Sequence, residues 1–364
     1  MVAFTGHTPG TGGAVLLVVD TATREQREVA PEWASELAWS PDGARLAWIG
    51  WDDVTGGGTA RVAGLDDEVS DLPGGGDVRG LAWAGDGTLA LLRRPAAGGL
   101  PEQDCAVPDA RRAVRFDVVL HSPDGAERVL TTTTPTARNL TWSPDARTLL
   151  WTEGGPDVCR GADSQVFLAD VGSGAVRRVS GKSQRAGGPQ FTPDSRTVVL
   201  SKSDGLGADL VLVDVASATS RRLLTPGVVE QRHALSPDGT RVAVERWVEG
   251  DRRSRIVLLD LQARVVRDVA PAFGLTDVIA WSPDGSFLAV AGAVVTPSCE
   301  DPWCDVAGAD PAVWRVGLDG EVSVLSEDSS LGTDELVFAP WWPAGPALER
   351  RERVVDGQRL GRVD

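Results

Sequence analysis

A chain of 364 residues with a formal net charge of −16 repels phosphate backbones and anionic lipid surfaces, so nucleic acid and membrane headgroups are poor partners. No apolar run reaches 18 residues, so no segment is expected to span or insert into a bilayer. Arginine outnumbers lysine 34 to 2, an imbalance that composition alone attributes to a GC-rich coding bias.

The first residues, Met1–Pro9, lack the basic start and long apolar core of a signal peptide, so the chain is expected to be cytoplasmic or stripped of a leader. Val2–Gly6, Val15–Asp20 and Arg24–Val29 then read as three short strands. From Leu37 a fuller unit begins. Leu37–Trp39 is a strand A, and Ser40-Pro-Asp-Gly43 is a tight turn in which proline presets φ and glycine accepts a positive one. Arg45–Ile49 returns as strand B. A glycine-rich loop, Trp51–Gly58, leads to strand C at Arg61–Leu65 and to strand D around Val69–Leu72.

The phrase Trp-Ser-Pro-Asp-Gly that closes strand A recurs along the chain. It is intact at Trp39 and Trp281, nearly so at Trp142 and Leu235, and looser at Trp83, Phe191 and Phe338. The leading residues are spaced by 44, 59, 49, 44, 46 and 57 positions. Repeats of this length, each holding several short strands, predict an all-β propeller of four-stranded antiparallel blades. Strands starting at Leu37, Leu81, Leu140, Pro189, His233 and Ile279 open six blades. Leu336–Pro340 reads as a strand A with no B, C or D behind it, while the N-terminal residues 1–30 lack a strand A. Joining them gives a seventh blade shared by both ends, which closes the ring and leaves no open sheet edge; six blades is the alternative. The whole chain is then one propeller domain, with 341–364 an unassigned tail. Strand C commonly ends in an aspartate, as at Asp20, Asp170, Asp214, Asp260 and Asp319, placed to cap the following hairpin through its carboxylate.

The turn followed by a strand, and then by a strand ending in Asp, resembles the TolB-like β-propeller family. The resemblance covers nearly the whole chain. It implies the propeller fold, in a family that includes envelope scaffold proteins and the propeller domains attached to peptidases. The family's namesake has an extra N-terminal domain and six blades; neither feature matches here, so its partner does not transfer.

In such a blade the A–B and C–D turns share one face, and the B–C loops and D–A crossovers share the other. The A–B turns are uniformly short, whereas B–C insertions occur at 94–113, 152–164 and 294–311. Extra loop length on one face of a rigid scaffold is where binding commonly resides. Counted together, the seven B–C loops carry fifteen acids, Asp52 and Asp53 among them, and seven bases including Arg94 and Lys202, a net −8. That rim suits a cationic partner or a divalent ion, or is simply solvated; no cofactor is otherwise predicted. Trp51 and Trp303 are placed to stack on a sugar or an apolar side chain. All four cysteines fall in these loops. Their placement favours disulfides Cys105–Cys159 and Cys299–Cys304, and with them an oxidising, extracytoplasmic compartment, over free thiols or a zinc site.

The residues just ahead of each strand A leader ring the channel mouth on the decorated face: Glu36, Arg79, Arg138, Asn139, Arg232, His233, Asp277, Asp334 and Glu335. Arg79 and Arg138 hold corresponding places on adjacent blades, a geometry suited to clamping a carboxylate. Asp277, Asp334 and Glu335 oppose them. Of three histidines only His233 lies near the channel. No Gly-x-Ser-x-Gly elbow, His-Glu-x-x-His pair or EF-hand loop is present. These features favour a monomeric, non-catalytic binding or scaffold propeller that recognises a peptide, protein or small ligand on the decorated face. The alternatives are a propeller hydrolase or lyase using channel carboxylates such as Asp277 and Glu335, and the sensor domain of a larger envelope protein.

Overall fold

The apolar runs of strands B and C dictate how the sheets must be buried. In Leu89–Leu92 every side chain is buried, and in Arg45–Trp51 five consecutive residues are. A strand whose two faces are both dry must lie in a sheet covered on both sides. The computed structural model, which describes residues 1–7, 14–51, 58–64, 68–95, 115–134, 137–154, 164–179, 185–203, 208–223, 229–247, 254–262, 265–269, 273–294, 312–326 and 336–338, shows how this is achieved. Seven four-stranded antiparallel sheets form a ring, each sandwiched between two others. Strand D, outermost in each blade, is the wet one: Glu127–Thr133 is exposed or half-buried at six of seven positions.

Closure follows the expected route, with seven blades rather than six. Val2–His7 pairs with Leu336–Phe338 in the register Val2↔Phe338, Ala3↔Val337 and Phe4↔Leu336, and on its other side with Ala14–Val19. Val2, Ala3 and Phe4 are fully buried, so the junction of the two chain ends is as dry as any other part of the ring. Seven apolar clusters occupy the seven joints between neighbouring blades. This explains how a chain longer than the usual limit of one core remains stable: each joint is its own small core.

Several boundaries differ from the sequence reading. Strand B of blade 1 runs through Trp51, and strand D there is Ser70–Gly76, tolerating Pro73 because its outer edge is unpaired. Arg94, Glu153 and Lys202, assigned to loops by sequence, belong to the ends of blade walls. Glu153 is buried and accepts a 2.7 Å hydrogen bond from Trp151 Nε1. Strand A is longer than expected, Ala34–Trp39 in blade 1, because it is bulged.

The arginine excess also has structural work that composition did not suggest. Strand D arginines reach across four successive joints to a carbonyl in the next blade's C–D turn: Arg128 to Val171, Arg177 to Ala216, Arg221 to Leu261 and Arg267 to Asp319, at 2.7 to 3.2 Å. A guanidinium has five donors on a long stem, so one can serve the neighbouring blade while its others stay in water.

Candidate functional site

The two ends of the channel are built differently. At the A–B end the repeat motif is a closed hydrogen-bonding unit. In five blades its Ser or Thr donates to the Asp two residues on and accepts from the backbone N–H five residues on; Ser236 with Asp238 (2.6 Å) and Arg241 N (2.9 Å) is one example. The hydroxyl's hydrogen bond is the main cause holding Asp42, Asp145, Asp194 and Asp238 below the ordinary carboxylate range. The aspartates closing strand C behave likewise: Asp170 and Asp214 accept from Ser173 and Ser217. The motif also joins blades. Trp142 Nε1 donates to Ala82 O (3.0 Å) and Trp281 Nε1 to Ala234 O (2.9 Å), each one blade back. Gly239 (φ +69°) sits so close to Pro193 of the previous turn that a β-carbon would lie 2.5 Å from its Cδ.

The opposite end is built on irregularity. In six blades the A–B ladder slips, leaving unpaired residues on strand A between Ser35 and Ala38, Val78 and Gly80, Arg138 and Thr141, Gly187 and Gln190, Glu230 and His233, and Thr276 and Val278. A bulge re-aims the side chains it carries. Glu36, Arg79, Asn139, Arg232 and Asp277 are among these bulged residues, and Arg138 borders one. The predicted mouth therefore coincides with a ring of bulges. Glu36 and Asn139 have φ of +53° and +55°, as does Gly188 at +55°. The left-handed backbone costs a residue with a β-carbon about 1 kcal/mol or more, and no sequence pattern announces it.

Arg79 and Arg138 stand on the neighbouring first strands of blades 2 and 3, and the charge of Arg138 acts on Arg79. Arg79 lies with its Cζ 5.4 Å from the Phe116 ring centroid, and Arg94 takes a similar place at 5.9 Å. Arg94 is anchored by Asp77 at 2.9 Å, whose own φ is +54°. Sequence reading did not single out this Asp77–Arg94–Phe116 support, since Arg94 was counted as a loop base. Burial first, then the charges of Arg94 and Arg138, lower the Arg79 pKa. Arg138 is exposed; its carbonyl accepts from Thr152 Oγ1 at 3.2 Å, while its guanidinium has no hydrogen bond or ion pair among the described residues. Its neighbour Asn139 donates to Thr152 Oγ1 at 3.0 Å.

Glu36 faces the same space. It keeps some surface on the channel, but the surrounding wall crowds out most of the water an ionised carboxylate needs. Burial raises its pKa to about 7, against the opposing pull of Arg138. A cavity of about 620 Å³ runs inward from it, lined by Trp39, Trp83, Asn139, Trp142 and Gln190 among others.

The other expected site residues divide. Arg232 is half-exposed, with Nε 3.8 Å from the buried Glu245 Oε2. His233 packs on Gly188, where a β-carbon would meet its Cε1 at 2.9 Å, and burial lowers its pKa to about 4, so it is neutral at physiological pH. Trp51 ends a strand rather than standing in a loop, and its Nε1 donates to Ser35 Oγ at 2.7 Å. Of Asp277 only the backbone is described. Asp52, Asp53, Trp303, Asp334, Glu335 and the four cysteines lie outside the described residues, as do most residues of the acidic loop rim. Among the described residues no three acidic, histidine or cysteine side chains gather as a metal site, and no helix is long and apolar enough to cross a membrane.

Solved structures share this architecture. TolB from Acinetobacter baumannii is 15% identical, with a TM-score of 0.56 over 93% of this chain and 66% of that one. The fold is that of the TolB-like propellers. A puromycin-hydrolysing peptidase of Mycobacterium tuberculosis matches with a TM-score of 0.63 and 15% identity, over 90% of this chain and 54% of its own. An oligogalacturonate lyase from Vibrio parahaemolyticus matches with 0.57 and 15%, over 92% and 89%. The chain thus spans two thirds or less of TolB and about half of the peptidase. No family model matches the sequence, and no curated protein does. At such identities the likeness concerns fold, which TolB, a peptidase and a lyase all share.

Proposed function

We propose that this chain is a non-catalytic recognition propeller that binds a peptide, protein or small ligand at the bulged mouth of its channel. The observation supporting this most directly is the placing of Arg79 and Arg138 on neighbouring strands of adjacent blades, with Arg138 exposed and its guanidinium without a hydrogen-bonded partner among the described residues. Guanidiniums carry matched donor forks for carboxylates. Strained backbone at Glu36 and Asn139 on the same rim fits a surface shaped for contact rather than for stability alone. The test is affinity capture or a thermal-shift screen with the intact chain and the Arg79→Ala/Arg138→Ala variant. Partners or ligands should be lost from the variant; retention of every one of them would sink the channel mouth as the site.

An extracytoplasmic location, suggested by cysteine placement, belongs to the same proposal. Intact mass with and without reductant should differ by about four hydrogens if Cys105, Cys159, Cys299 and Cys304 form two bridges. An enzymatic reading draws on one observation, the Glu36 carboxyl with its pKa near 7, suited to general acid–base work. Glu36 would then replace Asp277 and Glu335 as first candidate, and abolition of a screened hydrolase or lyase activity by Glu36→Gln would support it.

A further inference from the structure

One column of the repeat, the residue just before each blade leader, runs along the channel wall. In blades 1 to 6 it reads Ala38, Ala82, Thr141, Gln190, Ala234 and Ala280, and all six line one of two cavities that share Gln190. Four alanines leave the bore wide, and the two polar members fall on adjacent blades. Three places ahead of the leader, Glu36, Asn139 and Gly188 share a left-handed backbone, with φ of +53°, +55° and +55°. Glu36, Asn139, Thr141 and Gln190 meet on the lining of the cavity of about 620 Å³ that opens inward from the mouth, a volume in the range of small-molecule sites. Glu36 is the one ionisable side chain on that lining.

Hydrogen bonds within the wall fix which atoms of each amide are left over. The Leu235 N–H, which can only donate, is taken by Gln190 Oε1 at 2.6 Å, so Gln190 keeps the two N–H donors of Nε2. Thr152 donates its hydroxyl proton to Arg138 O at 3.2 Å and therefore accepts from Asn139 Nδ2 at 3.0 Å, which leaves Asn139 Oδ1 as an acceptor. Neither Gln190 Nε2, nor Asn139 Oδ1, nor the Glu36 carboxyl has a hydrogen bond among the described residues. Thr141 Oγ1, whose one bond is a long 3.4 Å contact to Asn139 O, can both donate and accept.

We propose that this cavity is a binding site separate from the arginine pair, and that it takes a neutral hydroxylated ligand with the chemistry of a monosaccharide or short neutral oligosaccharide. The lining asks, in one compact body, for donors toward Glu36 and Asn139 on blades 1 and 3 and for an acceptor toward Gln190 on blade 4. A hydroxyl is both, and a sugar ring carries several at fixed spacing. A carboxylate offers acceptors alone and would meet Glu36 with no cation on the lining. A protonated amine offers donors alone and would leave the Gln190 N–H groups unmet. Ala38, Ala82 and the half-buried Trp83 supply apolar surface for the C–H face of such a ring. Arg79 and Arg138 are not among the residues that line the cavity, so this assignment does not rest on them.

The experiment uses the full chain and one ring in three charge states, glucose, glucosamine and glucuronate, with cellobiose, maltose and an N-acetylated alanine tetrapeptide amide beside them. Binding at pH 7 is followed by NMR through the side-chain amide signal of Gln190, at up to about 10 mM, tenfold above a millimolar Kd. Glucose or one of the neutral disaccharides should bind and move that signal, more tightly than either charged ring or the peptide. Gln190→Glu keeps an acceptor for the Leu235 N–H but has no N–H to give. At pH 8, where the introduced carboxyl is ionised, it should weaken binding about tenfold relative to the native chain, as loss of one hydrogen bond at a desolvated site predicts. Glu36→Gln should weaken it about threefold, since a neutral acceptor replaces a charged one. Silence from all three neutral sugars overturns the inference, as does tighter binding of the peptide. Tighter binding of glucosamine would make the site an ion pair on Glu36 and end the neutral-ligand assignment. Tighter binding of glucuronate that disappears in Arg79→Ala/Arg138→Ala would also overturn it, while supporting the arginine mouth; neutral-sugar binding that survives in that variant is the expected result. Binding untouched by both Gln190→Glu and Glu36→Gln would remove the cavity as the sugar's site.

Discussion

The tight and decorated faces of this propeller use the same strand A for opposite ends. At the turn end, the hydroxyls and carboxylates of the repeat motif are spent within the fold, although the Trp83 indole N–H is buried without a partner among the described residues. Serine bonds aspartate, two of the leading tryptophans bond the previous blade, and the proline of one turn packs on the glycine of the next. At the bulge end, three to five residues earlier on the same strands, charges are left available and the backbone is strained. Repetition therefore marks where the chain satisfies itself, and departure from it marks where something else can be satisfied.

That contrast predicts how substitutions should separate stability from binding. The largest effect is expected from Trp281→Ala, which empties a joint core between blades 5 and 6 and should cost about 3–5 kcal/mol in denaturant unfolding. Ligand binding by the molecules that remain folded should be unchanged; an equal loss of both would erase the distinction between faces. Gly239→Ala should cost about 1–3 kcal/mol, since the new β-carbon meets Pro193 and the backbone stays at positive φ.

Ser236→Ala should cost about 1–2 kcal/mol at neutral pH, by removing a donor to Asp238 and an acceptor for Arg241 N–H. Its pH dependence sharpens the comparison. Because the folded Asp238 pKa lies below 3.8, the part of the serine's contribution made through Asp238 is complete above about pH 5 and is lost as pH falls through the depressed folded value. The gap between native and variant stabilities should therefore narrow in acid to the pH-independent part owed to the Arg241 N–H, and a gap that does not narrow would place the effect elsewhere. The smallest effect on stability, within about 0.5 kcal/mol, is expected for Arg138→Ala, an exposed residue on the decorated face. A cost several times larger would mean that Arg138 holds the fold together and is not held ready for a ligand.

Much of this was legible in the chain. The spacing of Trp39, Trp83, Trp142, Phe191, Leu235, Trp281 and Phe338 gave the blades, and the missing strands at each end gave the closure, because each blade repeats one local pattern of turn and apolar run. The mouth positions were legible as places on a ruler, but not their condition. That Arg94 is a buried support, that His233 is shut in against Gly188, and that Glu36 is the carboxylate most changed by its surroundings all depend on residues of other strands, such as Asp77 and Phe116 for Arg94 and Gly188 for His233. The arginine ladder was illegible for a similar reason: Arg177 and Ala216 are distant in sequence and become neighbours only when blades 3 and 4 dock.

The sequence by itself determined the repeat, because a turn of Ser, Pro, Asp and Gly is satisfied by atoms within five residues. Only the tertiary structure decided which charges remain unspent at the mouth. Solvent access and the nearest opposite charge there are set by the neighbouring blades, and a residue's own sequence neighbourhood carries neither.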